Sequence, residues 1–300
     1  MQIGHLCIFA GSGIGAGGAV SENRGLLDHI SPALMGYLLS FLPQHDPLAE
    51  SVPGGLLTSE LVERLLGDSF CGYALAHFSG EERGWLAFYR GRLLEAWRQT
   101  TYGHLCGTVA YRALQREFGQ GTLSLYRLQP DDLPPVVALT QGLLRITAVA
   151  ASSVVVADLV DSLVQEQFTG ALVWEDGLVG RAWFFARGKR LFGGELPTEF
   201  REGHLHLVQA PSKAPPDLLE QARQEDREQR AIRLSVVWNA AQEVLKEYMG
   251  RGAPSALERL RSIHTTDDPA SLEKALRRWM SESLEPNAAT LFDRLLRPTL

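Results

Sequence analysis

Phe88-Tyr89-Arg90-Gly91-Arg92 and Phe185-Ala186-Arg187-Gly188-Lys189 share an aromatic residue, an Arg-Gly step and a following basic residue, and this likeness decides how the chain is read. An Arg-Gly step between two apolar runs signals a hairpin, because glycine enters positive φ without steric cost. Upstream, Leu61-Val62-Glu63 matches Leu159-Val160-Asp161 at one constant offset, and so do Leu65 with Leu163, Phe70 with Phe168 and Gly72 with Gly170. Downstream, Gln120-Gly121-Thr122-Leu123-Ser124-Leu125 lies over Glu202-Gly203-His204-Leu205-His206-Leu207. The order is kept throughout. The gaps fall in a charged turn and at a helix read over 103–118, which the second copy lacks. The expectation is a duplicated α+β fold: two related units of short helix plus antiparallel sheet sharing a core, followed by an all-helical C-terminal region.

Periodicity fills in the units. Thr58 is a candidate N-cap for a short helix carrying Leu61, Val62, Leu65 and Leu66. Extended runs follow at 73–78, 85–89, 93–97 and 122–128. Pro32 and Pro43 bracket a short buried helix, whereas the prolines and glycines of 44–55 read as a loop. The apolar stretch 146–157 reads as buried helix, continuing a helix over 135–150. After the prolines of 211–216, residues 217–249 contain neither glycine nor proline and read as one long helix. Three more helices are expected at 254–263, 268–284 and 286–296, with Asp268 capping and Pro269 at the first helical position. The expected divisions are a glycine-rich and apolar segment 1–54, a first unit 55–130, a linker helix with a truncated second unit 131–210, and a helical region 211–300. Four C-terminal helices form a bundle, or half of one completed by a second chain as a homodimer.

Composition narrows the function classes. The chain has 300 residues, 45% hydrophobic and 21% charged, which is ordinary for a chain with a sizeable core. A formal net charge of −6 supplies no field for a phosphate backbone, so nucleic acid is not an expected partner. Cys7, Cys71 and Cys106 form no CxxC pair, which points to a reducing cytoplasm. No apolar stretch approaches the roughly 20 residues of a bilayer crossing, so no membrane is expected.

Leu61-Val62, Phe70-x-Gly72, Phe88-x-x-Gly91, Glu95-Ala96, the helix around 110–114 and Gln120-Gly121-Thr122-Leu123 together resemble the PATAN domain, named after the N-terminal part of the cyanobacterial protein PatA. The resemblance covers about 56–128 and, in truncated form, 157–209. It implies an interaction module of bacterial signalling proteins, with no catalytic residues and no cofactor, whose partners are other proteins of a signalling or regulatory system.

Three constellations are candidates for chemistry. Gly13, Gly15 and Gly18 make a formal GxGxxG, whose amides would cradle a pyrophosphate in a nucleotide-dependent enzyme; no amphipathic helix or acidic second strand follows, so a loop is expected. His204 and His206 alternate by two and would share a strand face, where they could chelate a metal or simply be solvated. Arg90, Arg92, Arg187 and Lys189 place a basic pair at the same turn in each copy, where an acidic partner could dock. A DNA-binding regulator acting through the C-terminal helices is the remaining alternative.

Overall fold

The computed structural model describes residues 25–44, 46–54, 64, 67, 69–80, 82–101, 103–177, 179–213 and 215–297. They divide into two compact units, Met1–Leu219 and Glu220–Leu300. The glycines at 13, 15 and 18 and, apart from Arg64, the helix read over 58–66 lie outside or almost outside the described residues.

The first helix among the described residues of this unit, after a single 3-10 turn at Leu26–Asp28, is α1 (Pro32–Leu38), whose first turn is closed by the Ser31 hydroxyl accepting from the Leu34 N–H at 3.1 Å. Strand β1 (Pro47–Pro53) follows, then β2 (Gly72–His77), β3 (Arg83–Tyr89), β4 (Arg92–Thr100) and β5 (Gly103–Cys106). Helix α2 (Gly107–Glu117) leads to β6 (Thr122–Arg127). The chain then repeats itself: α3 (Leu133–Gln141), β7 (Leu143–Ala150), α4 (Val156–Gln165), β8 (Gly170–Asp176), β9 (Val179–Ala186), β10 (Lys189–Phe192) and β11 (His204–Gln209). The first sheet runs β1-β6-β2-β3-β4-β5 and the second, read from its other edge, β7-β11-β8-β9-β10. Strand for strand this is one topology, trimmed of β5 and α2 in the second copy.

The register agrees at the level of single pairs. Gly72 opposes Phe88 and Arg127 as Gly170 opposes Phe185 and Gln209. The edge strands match as closely: Pro47, Ala49, Val52 and Pro53 face Tyr126, Leu125, Leu123 and Thr122, while Leu144, Ile146, Val149 and Ala150 face Val208, Leu207, Leu205 and His204. Each edge strand carries a bulge with a left-handed residue, Ser51 at φ 49° and Ala148 at φ 49°. The bulge N–H is satisfied across the strand pair, by Ser124 Oγ at 3.0 Å in one copy and His206 Nδ1 at 3.4 Å in the other. A lone donor displaced from its ladder needs such a partner.

One core lies between the copies. It takes Leu34, Met35 and Leu38 from α1, Val136, Val137 and Leu139 from α3, Tyr73, Leu75, Trp85 and Trp97 from the first sheet, and Ala171, Val173, Ala182 and Phe184 from the second. Helix α1 packs on β9 as well as β4, and α3 packs on strands of both sheets. The far face of the second sheet is closed separately by α4, through Leu163, Phe168, Trp183 and Phe185.

Several sequence expectations are corrected. Residues 44–55 are not all loop: β1 runs there with Pro47 and Pro53 at its ends, and an edge strand tolerates proline because its outward amides have no ladder partner. The helix expected over 135–150 stops at Gln141, and 143–150 is β7; Ile146 and Val149 are β-branched and pair with β11. Likewise 103–118 divides into β5 and α2 at Gly107, which takes φ 62°. The first copy therefore begins with α1 and β1, upstream of the boundary expected at 54.

In the second unit, the C-terminal part of α5 (Leu218–Met249) presents Val237, Ala241, Val244 and Leu245 to α6 (Ala253–Ile263), α7 (Pro269–Ser283) and α8 (Pro286–Leu296), whose Leu260, Leu276, Met280 and Phe292 complete a core. Asp268 caps α7 as expected, accepting from the Ser271 N–H at 3.0 Å. The Ser271 hydroxyl, and after it that N–H, hold the exposed Asp268 carboxyl below its ordinary range.

A Cβ at Gly170 would run into the Val208 carbonyl and the Phe168 ring, whereas one at Gly177, φ 65°, meets nothing. Gly177→Ala is expected to cost about 1 kcal/mol, the left-handed penalty alone. Gly170→Ala should cost more than about 2 kcal/mol, because strand β11 must move. Urea unfolding of the two variants checks this; equal losses would contradict the shared helix-to-strand geometry.

Candidate functional site

The two Arg-Gly steps form the same two-residue turn. Arg90 and Gly91 take φ 48° and 77°, Arg187 and Gly188 take 50° and 75°, the signs a type I′ hairpin requires. The Gly91 N–H donates to Phe70 O at 3.3 Å and the Gly188 N–H to Phe168 O at 2.8 Å, tying each tip to the aromatic two residues before its first central strand. The Arg187 N–H donates to Thr169 Oγ1 at 3.0 Å. In the first copy the equivalent amide, of Arg90, bonds Cys71, whose thiol is nevertheless pushed up to about 11 by burial. Asparagine or glycine suits the first turn position best, and a left-handed arginine costs about 1–2 kcal/mol. Both copies hold arginine there.

The shared core brings the two turns to one end of this unit. Each touches the chain leaving the other copy's last strand: Arg92 Nη2 donates to Pro215 O at 3.2 Å, and Arg187 Nη2 lies 3.5 Å from Asp131 Oδ2. The Arg90 guanidinium sits 5.3 Å over the Tyr89 ring. Lys189 and Arg190 are exposed beside Arg187, with no ion-pair partner among the described residues. At the foot of this turn is a cavity of about 250 Å³ lined by Arg145, Glu166, Gln167, Thr169, Gln209 and Ser212 among others. Arg145 Nη2 and Glu166 Oε2 approach only to 3.8 Å. Each basic turn thus sits where the chain leaves the other copy's last strand. Arg145 was missed, since it lies on the strand read as helix.

His204 and His206 share a strand face but not an environment. Only His204 is exposed; His206 is buried, which corrects the expectation of a solvated pair. The two share Glu175, which β8 places opposite His204, with Oε1 3.3 Å from His204 Nδ1 and 3.8 Å from His206 Nε2. Because His206 Nδ1 accepts from the Ala148 bulge, its proton belongs on Nε2. A metal at Nε2 would force two N–H groups together on the other side of the ring. Among the described residues no group of three or more His, Cys, Asp and Glu has the arrangement to hold a metal ion. Burial lowers the His206 pKa, and the Glu175 carboxylate opposes it without prevailing.

Trp85, Trp97 and Trp183 fill cores, as their strand positions imply. Trp174 is half-buried, and its indole N–H donates to Glu202 O at 2.8 Å. A buried carboxyl was not foreseen as such. Glu95 is 3% exposed on β4, where the second copy has Phe192: Glu95 opposes Ala87 as Phe192 opposes Phe184. It accepts from the Ala96 N–H at 2.8 Å and the Gly107 N–H at 3.4 Å, so it holds the start of α2, the helix that only this copy has. Burial pushes its pKa up to about 7 against those bonds and the side chains of Gln141 and Thr140.

These two groups tilt stability in opposite directions with pH. Glu95 has a folded pKa above its ordinary 4.5, so its contribution is complete below about 4.5 and is lost as pH rises through about 7. His206 has a folded pKa below 6.5, so its contribution is complete above that value and is lost as pH falls. Glu95→Gln is expected to stabilise the fold by about 2 kcal/mol at pH 8 and to be near neutral at pH 5. Urea titrations at both values test this; a variant weaker than the parent at pH 8 would contradict a buried carboxyl near neutrality.

No protein-family model matches the chain, and neither a curated protein nor a solved structure matches it.

Proposed function

We propose that this chain is a non-enzymatic regulatory or scaffolding protein of bacterial signalling that works in the cytoplasm and binds other proteins, with the end of the first unit that carries both Arg-Gly turns as its docking surface. One observation carries the reading: arginine occupies a left-handed turn position in both copies, although asparagine would relieve the strain. Local strain retained twice is a reason to look for a role of the side chain rather than of the turn. Arginine suits such a role because its planar fork can pair with carboxylate in two hydrogen bonds. The likeness to PATAN domains, which are interaction modules, supports the same reading. Consistent with it, no helix among the described residues is long and apolar enough to cross a membrane.

The turn geometry supplies a test in which stability and recognition move apart. Arg90→Asn with Arg187→Asn keeps the left-handed turns and is expected to leave stability unchanged or raise it by about 1 kcal/mol. Parent and double variant are used side by side to capture proteins from a bacterial cytoplasmic extract, with recovery quantified by mass spectrometry. Proteins whose recovery falls at least fivefold with the double variant are expected. Identical recovery by both chains would sink the docking surface.

A further inference from the structure

We infer that the cavity beside the Arg187 turn receives carboxylate side chains of an acidic, extended peptide segment, and that Asp131 and Glu166 stand in for those carboxylates while the site is empty of partner. The inference rests on the docking reading above and specifies its chemistry. Arg187 and Arg145 each face one carboxylate of the chain itself, at 3.5 Å and 3.8 Å. Neither approach is within the about 2.7–2.9 Å of a charge-assisted hydrogen bond. Both pairs are open to water, with side chains 75% and 76% exposed in one and 49% and 62% in the other, so they contribute little to the fold. Two guanidinium groups are thereby left without a saturating partner. An incoming carboxylate that reaches two parallel bonds gains more than it displaces.

Arg145 lines the cavity, Arg187 stands beside it through Thr169, and the remaining lining fits the same ligand. Gln167, Gln209 and Ser212 border the cavity with amide and hydroxyl donors. Thr169 Oγ1 already accepts from the Arg187 N–H, which leaves its hydroxyl proton to be given elsewhere. Lys189 and Arg190 carry positive charge outward from the turn, along β10 at the edge of the sheet. A long polyanion is disfavoured, because the chain's own Asp131 and Glu166 stand among these cations and its formal net charge is −6. A short segment with alternating carboxylates engages the cations locally.

The probe is a fluorescein-labelled ten-residue peptide of alternating Glu and Ala, with the Gln-Ala peptide as its uncharged counterpart, read by fluorescence anisotropy on the full chain at low salt. Saturable binding of the Glu peptide is expected, with at least tenfold weaker binding of the Gln peptide. Arg145→Gln and Arg187→Asn should each weaken binding at least fivefold, with urea midpoints no lower than the parent's as the control for folding. Asp131→Asn should tighten binding two- to fivefold. Asp176→Asn removes the same charge at the other end of β8 and should leave binding unchanged, because only the carboxylate that competes for Arg187 matters. Equal effects of Asp131→Asn and Asp176→Asn, equal affinity for the two peptides, or tighter binding of a single-stranded oligonucleotide of the same charge would each overturn the inference. If the peptide fails to bind while the double turn variant still loses captured proteins, the docking surface stands and its acidic chemistry is withdrawn.

Discussion

Each of the two sheets has an inner apolar face, and among the described residues each face is covered by helices from both copies. Burying Trp85 and Trp97 of one sheet and Phe184 of the other requires both α1 and α3, and each helix contacts both sheets. A fully buried side chain of this size contributes about 1.5–3 kcal/mol, so a copy that lost the other's helix would expose more than its own bonds could offset. The two copies are therefore interdependent. From this follows the placement of everything else: the chain leaving each last strand passes the other copy's basic turn, and a surface is composed from residues almost a hundred positions apart.

Much of this was legible where a residue performs a task no other performs as well. Gly72 and Gly170 lie against a neighbouring strand's carbonyl, and Gly91 and Gly188 take positive φ, so the sequence has to repeat glycine at those places. The aromatic before each, Phe70 and Phe168, packs edge-on against Phe88 and Phe185. These residues announced the duplication, the hairpins and the basic turns.

The edge strands were not legible, and the reason is physical. Strands β1 and β7 share their topology, their register and a left-handed bulge, yet almost no side chains. What they share is a backbone shape, and two different acceptors, Ser124 and His206, satisfy it. Read from sequence alone, the prolines of β1 suggest a loop and the apolar residues of β7 a helix. The same displacement explains the candidate site. The four basic turn residues could be named, but Arg145 sits on the misread strand, and the proximity of Asp131 to Arg187 depends on how the copies share their core. His206 was misjudged because its duty is to the bulge of its own copy rather than to an external ion.

Interdependence of the copies is the claim on which the composed surface stands, and hydrogen exchange of the backbone amides under a urea series measures it most directly. The account predicts that amides of β2 and β8, one central strand from each copy, lose protection along a single isotherm, with opening free energies equal to within about 1 kcal/mol. Two separate isotherms, with one sheet opening while the other stays closed, would contradict it.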